Sequence, residues 1–161
     1  MNEQSPVIDV VPAEVLRSYD GLTFLRALLA GELPAPPITQ TLGFRLADAG
    51  QGFAAFEGVP EFRHYNPIGA VHAGFAATLL DSAVYCAIHS TLAKGEAATT
   101  LEIKINMVRA LTKTTGNVRA EGRVIHRGRT TATSEGTLRD AGGKLYAHAT
   151  TTCIIFPVDG A

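Results

Sequence analysis

Tryptophan is absent from this chain of 161 residues, cysteine and methionine occur twice each, and aromatic residues make up only 7%. Each scarcity excludes something. Cys86 and Cys153 lie in apolar segments without CxxC spacing, which leaves no disulfide framework or cysteine zinc site and fits a reducing, cytoplasmic setting. Charge is scarce too: 14 lysines and arginines nearly balance 15 aspartates and glutamates. With net charge −1 and scattered cations, the chain carries no electrostatic footprint for nucleic acid or an anionic membrane. Met1 to Glu14 has neither a basic start nor a long apolar stretch, so no signal peptide is expected. His64, His89, His126 and His148 show no ligand spacing such as HExxH, and no metal is expected.

What is present is apolar material: 46% hydrophobic content suffices for the core of one domain spanning residues 1–161. Met1 to Pro12 reads as a loose arm. Leu16, Leu22, Leu25, Leu28 and Leu29 recur at helical spacing and predict a helix over Ala13–Leu33. Pro34 to Pro37 forms a rigid connector. Leu42–Ala47 and Phe53–Val59 read as short strands around the turn Ala49-Gly50-Gln51-Gly52. Four more strands are expected at Thr99–Arg109, Asn117–His126, Thr130–Arg139 and Lys144–Phe156. Their separators, Thr112–Gly116, Arg127–Arg129 and Asp140–Gly143, are short enough for hairpins.

Between the second and third strands, Ala73 to Leu92 predicts a helix so apolar that it should be wrapped on nearly all sides. Asp81 and the flanking histidines argue against a membrane span. An antiparallel sheet with such a helix after its second strand predicts an α+β architecture in which the sheet curls around the helix, with an extra N-terminal helix. From Phe75 to Ala87, Asp81 is the only ionisable group apart from the weakly acidic Tyr85 and Cys86. Burying an unpaired carboxylate is costly, so Asp81 is the leading candidate for chemistry.

The element order and the pattern H-x-N-P-x-G-x-V-H-x-G-x6-D, carried by His64, Asn66, Pro67, Gly69, Val71, His72, Gly74 and Asp81, resemble the PaaI-type acyl-CoA thioesterases of the hotdog superfamily. The resemblance extends over Ile38–Phe156, with one departure at Ala73, where that family usually has glycine. It implies a hotdog core over about 38–157 behind an N-terminal arm and helix over about 1–33. It also implies an acyl-CoA substrate hydrolysed without a cofactor beyond the substrate's own coenzyme A, and a homodimer or homotetramer.

Thioester hydrolysis needs a base or nucleophile to deliver water and donors for the oxyanion. Gly74, at the helix N-terminus, can supply an unpaired N–H and let a carbonyl approach. Asp81 lies seven residues on, about 10 Å along the axis, so one carbonyl cannot touch both within one helix. Two antiparallel helices in a symmetric dimer bring Asp81 of one chain level with Gly74 of the other. Asn66 is a candidate for the thioester carbonyl or a turn former before Pro67, and His72 is expected to hold the loop to the helix start. In the resemblance, Thr100 helps the aspartate bind the attacking water. Glu102, two residues on, is a minor candidate on the same strand face. Arg127-Gly128-Arg129 is a candidate clamp for coenzyme A phosphates. Two alternatives stay open: a hotdog acyl-CoA hydratase or dehydratase, and a non-catalytic acyl-CoA-binding module.

Overall fold

Prolines and glycines punctuate the approach to the sheet. The computed structural model describes residues 7–158. Residues 1–6 of the expected arm lie outside them, and Ile8 pairs with Ala35 in an isolated bridge. The one helix expected over Ala13–Leu33 is two, α1 (Ala13–Ser18) and α2 (Gly21–Leu29). The break falls at Asp20, whose carboxylate accepts from the Thr23 N–H at 2.9 Å and its hydroxyl at 2.8 Å, an N-cap that restarts the helix. Pro37 then opens α3 (Pro37–Leu42), which Gly43 ends in the left-handed conformation. Leu42 therefore closes a helix instead of opening the expected strand, which begins at Phe44 (β1, Phe44–Gly50) and turns back as β2 (Phe53–Gly58).

After the central helix α4 (Ala73–His89) come β3 (Glu96–Met107), β4 (Val118–Arg127), β5 (Thr131–Asp140) and β6 (Leu145–Pro157). They form one antiparallel sheet in the order β1-β2-β4-β5-β6-β3. The turns after β4 and β5 join paired strands, as expected. The segment around Thr112–Gly116 does not. β3 pairs with β6 at the sheet edge, so residues 108–117 cross over to reach β4. The backbone bonds of that crossover go elsewhere: the Val108 and Arg109 N–H groups donate to the Tyr146 carbonyl, and the Leu111 carbonyl accepts from the Val71 N–H.

Helix α4 buries one stripe, Phe75, Leu79, Leu80, Ala83, Val84 and Ile88, against the sheet. Contact is backbone-close at Gly122, where a Cβ would fall 2.2 Å from the Ala83 carbonyl oxygen, and the Ser134 hydroxyl donates to the Val84 carbonyl at 2.7 Å. The far face is open. Ala73 and Asp81 are exposed, and Ala77, Thr78, Ser82 and Tyr85 are half-buried. The sequence suggests wrapping on nearly all sides, but a single sheet covers only one side of a helix, and small residues hide the other in any hydropathy reading. Among the described residues, no helix is long and apolar enough to cross a membrane.

Candidate functional site

The entry to α4 is fixed by its own side chains. Asn66 Oδ1 accepts from the Ile68 and Ala70 N–H groups, each at 3.1 Å, which folds the loop back before Val71. The His72 N–H donates to the His64 carbonyl at 2.7 Å. His64 is buried with its ring stacked on Phe75 at 4.4 Å, and burial holds its pKa below the ordinary value. His72 caps the helix: its Nδ1 accepts from the Gly74 N–H at 2.9 Å, which leaves the imidazole proton on Nε2 in the neutral form. The Gly74 N–H is thus engaged by a side chain that a ligand oxygen can displace, and the carbonyl of Asn66 is spent on its turn.

Asp81 stands seven residues along the open face. It is exposed, and among the described residues it takes no hydrogen bond or ion pair, yet its apolar surroundings remove enough water to raise its pKa. Below it, burial pushes the Tyr85 phenol and the Cys86 thiol each up to about 12, and the Asp81 charge adds to both shifts. The Tyr85 hydroxyl donates to the Ala98 carbonyl at 3.0 Å, tying α4 to β3. Thr100 lies on that strand with Oγ1 3.9 Å from Cys153 Sγ, and the Asp81 charge also acts on Cys153. Cys153 packs with Ile88 of α4, so Thr100, its partner across the sheet, lies on the face that carries α4 and with it Asp81.

Glu102 departs from the expected face. The register shifts between Thr100, which pairs with Cys153, and Glu102, which pairs with Thr152. Adjacent β6 residues face opposite ways, so Leu101 is the extra residue of a bulge and Glu102 is turned away from Thr100. The buried Thr151 hydroxyl holds this bulge by donating to the Glu102 carbonyl at 2.6 Å. Nothing in the sequence marks either feature, because the bulge contains no glycine and threonine is an ordinary strand residue.

The Arg127-Gly128-Arg129 turn sits on the Asp81 side. Arg127, Ala132, Cys153 and Thr100 are paired in succession across β4, β5, β6 and β3, three strand spacings of ~4.8 Å each. Arg127 is half-buried and committed to Glu96 at 2.7 Å and to the Gly128 carbonyl, while Arg129 is exposed. A cavity of about 340 Å³ opens at the other end, beside the α4 entry, between the Asn66–Ala73 loop and the crossover after β3. Among the described residues, no group of three or more His, Cys, Asp or Glu side chains is placed to hold a metal.

Residues 68–147 match the thioesterase superfamily. No curated protein matches the chain. Among solved structures, a phenylacetic acid degradation-related protein of Ralstonia eutropha, described as a putative thioesterase, is 29% identical over 81% of this chain and 98% of its own, with TM-score 0.73. A Streptococcus mutans protein bound to acetyl CoA is 26% identical over 71% of this chain and 89% of its own, with TM-score 0.64. The PaaI protein of the E. coli phenylacetic acid degradation operon shares the fold at 19% identity, covering 84% of this chain and 95% of its own, with TM-score 0.73.

Proposed function

We propose that this chain, a hotdog-fold protein of the thioesterase superfamily, is an acyl-CoA thioesterase that hydrolyses a small or medium acyl or aryl-acyl thioester by Asp81-assisted attack of water, without metal or redox cofactor. The observation that carries this is the Asp81 carboxylate. It is unpaired and partly desolvated on the open face of α4, with Thr100 on its side of the sheet. A base needs a pKa drawn toward neutrality and a free oxygen, and Asp81 has both. The acetyl CoA bound to the Streptococcus mutans relative supports the substrate class.

The site is completed by a second copy. Within one chain Gly74 and Asp81 stand about 10 Å apart along α4, so the carbonyl held at Gly74 receives water from the partner's Asp81. The oxyanion replaces His72 Nδ1 as acceptor for the Gly74 N–H, and the freed imidazole remains beside the reacting group. Asn66, its carbonyl engaged in the turn, keeps its amide N–H groups for the substrate. Coenzyme A then runs over the subunit that supplies Asp81, where Arg129 is the exposed cation of the turn and Arg127, held by Glu96, shapes it.

A hydrolysis screen over acetyl-, hexanoyl-, phenylacetyl- and palmitoyl-CoA, read by released thiol, tests the activity. Turnover of at least one is expected. Binding without thiol release from any acyl-CoA tested would instead mark a non-catalytic module.

A further inference from the structure

We infer that Tyr85 is a positioning residue: its hydroxyl is a strut between the turn of α4 that carries Asp81 and the stretch of β3 that carries Thr100, and it sets their spacing for the attack of water. This rests on the thioesterase reading and deepens it. Placement is the first ground. Tyr85 follows Asp81 by four residues, one turn on along the same face of α4. Its hydroxyl donates to the Ala98 carbonyl at 3.0 Å, and Ala98 precedes Thr100 by two residues, so both lie on the face of β3 that carries α4. Among the described residues this is the only hydrogen bond between α4 and β3.

The carbonyl itself is the second ground. Ile155, opposite Ala98, sends its N–H to the Thr130 carbonyl at 2.8 Å, on the β5 side. In an antiparallel ladder the two backbone groups of a residue point the same way, so those of Ala98 point out of the sheet edge, away from β6. No strand of the chain holds the Ala98 carbonyl; Tyr85 does, and the second lone pair stays free for a neighbouring strand. Beyond Thr100, the Thr151 hydroxyl holds the bulge at Glu102. The stretch that bears Thr100 is thus pinned at both ends by hydroxyls, one of them from α4.

The third ground is that the ring cannot follow the strand. Tyr85 packs on the cluster formed by Ile88, Ala98 and Cys153, and against His89 with ring centroids 5.8 Å apart. Cys153 is also the residue opposite Thr100, its Sγ 3.9 Å from the threonine Oγ1. A hydroxyl on so fixed a ring acts as a spacer.

Tyr85→Phe keeps the ring and removes the strut. With the acyl-CoA that wild type hydrolyses best, kcat is expected to fall about tenfold at unchanged KM, because a misplaced water site costs turnover and not binding. In a Thr100→Ala background, which has already lost the hydroxyl that Tyr85 places, the same change should cost less than about twofold. Wild-type kcat per folded molecule in Tyr85→Phe or in Thr100→Ala, or the full loss repeated in the double variant, would overturn the assignment while leaving the thioesterase reading intact. If wild type hydrolyses no acyl-CoA, that reading fails by itself, and crystal structures of wild type and Tyr85→Phe decide the strut. Displacement of Thr100 Oγ1 relative to the Asp81 carboxylate supports it, and an unmoved pair rejects it.

Discussion

Asp81 is exposed in the single chain and still has its pKa raised, because its surroundings remove water from it and, among the described residues, no cation pairs with it to compensate. A general base must be ionised, so kcat should fall as pH drops through the raised Asp81 pKa, with its midpoint above that of an ordinary aspartate. Asp81→Asn keeps the shape and removes the base; kcat should fall by ~10²–10⁴-fold while acyl-CoA still binds. Stability should move the other way. A carboxyl with a raised folded pKa binds protons more tightly in the folded state, so above that pKa its ionised form costs stability, and the neutral amide escapes the cost. An Asp81→Asn protein that melts lower, or loses its dimer, with near-wild-type activity per folded molecule would make Asp81 structural. His72 was readable as a loop holder and Asn66 as either a carbonyl ligand or a turn former, of which the turn is what its Oδ1 makes; that His72 occupies the Gly74 N–H was not readable, since a histidine cap depends on ring orientation.

Among the elements, the strands and α4 were legible because apolar periodicity survives in them: the expected helix start at Ala73 and the strand cores at 99–109 and 144–156 coincide with α4, β3 and β6. Elements set by a single cap were misread. One aspartate splits the N-terminal helix and one glycine turns Leu42 from strand to helix end. The crossover after β3 was read as a hairpin because short spacing alone cannot tell which strand comes back. The bulge at Leu101 is the misreading closest to the chemistry. It lets Thr100 stay on the helix side of the sheet with Cys153 while Ile103 and Ile105 still pack on the core, and Thr151 is the side chain that holds it. Thr151→Val leaves the Glu102 carbonyl without this donor, and kcat should fall about tenfold at unchanged KM as Thr100 drifts. Thr151→Ser, which keeps the hydroxyl, should restore the rate. Wild-type turnover in the valine variant would uncouple the bulge from the site.

At the scale of the molecule, two features concern how the chain holds together. The first is acid sensitivity. His89 is wedged between Phe24 and Tyr85, where α2 meets α4, its Nδ1 has no partner among the described residues, and burial pushes its pKa down to about 4. Arg17, Asp20, Tyr85 and Glu96 border the same space, and the two carboxylates have lowered pKa values, so their own losses come at still lower pH. The unfolded chain protonates His89 near 6.5 and the folded chain does not. Stability is therefore complete above ~6.5 and declines as pH falls toward ~4, by up to about 3 kcal/mol. Urea midpoints should fall between pH 7 and pH 5 in wild type and much less in His89→Gln; equal slopes would contradict a buried neutral His89.

The second is assembly. β3 is an edge strand of 12 residues with Leu101 and Met107 exposed on it and Val108 just beyond, and Tyr85 on α4 is bonded to it through the Ala98 carbonyl. An uncovered edge of that length invites a second copy, and strand-to-strand pairing there sets two α4 helices side by side. Sedimentation should show at least a dimer. The composite site makes a stronger demand. Asp81→Asn and Gly74→Val should each be inactive alone, the valine because a Cβ at Gly74 comes within 2.9 Å of His72 Nδ1 before its methyl groups are counted. Unfolded and refolded together in equal amounts, half of the dimers are mixed, and each mixed dimer concentrates both lesions in one site and leaves the other whole. Activity should return to about a quarter of wild type. If Gly74 and Asp81 of one chain served the same carbonyl, every site in every dimer would carry a lesion and mixing would recover nothing.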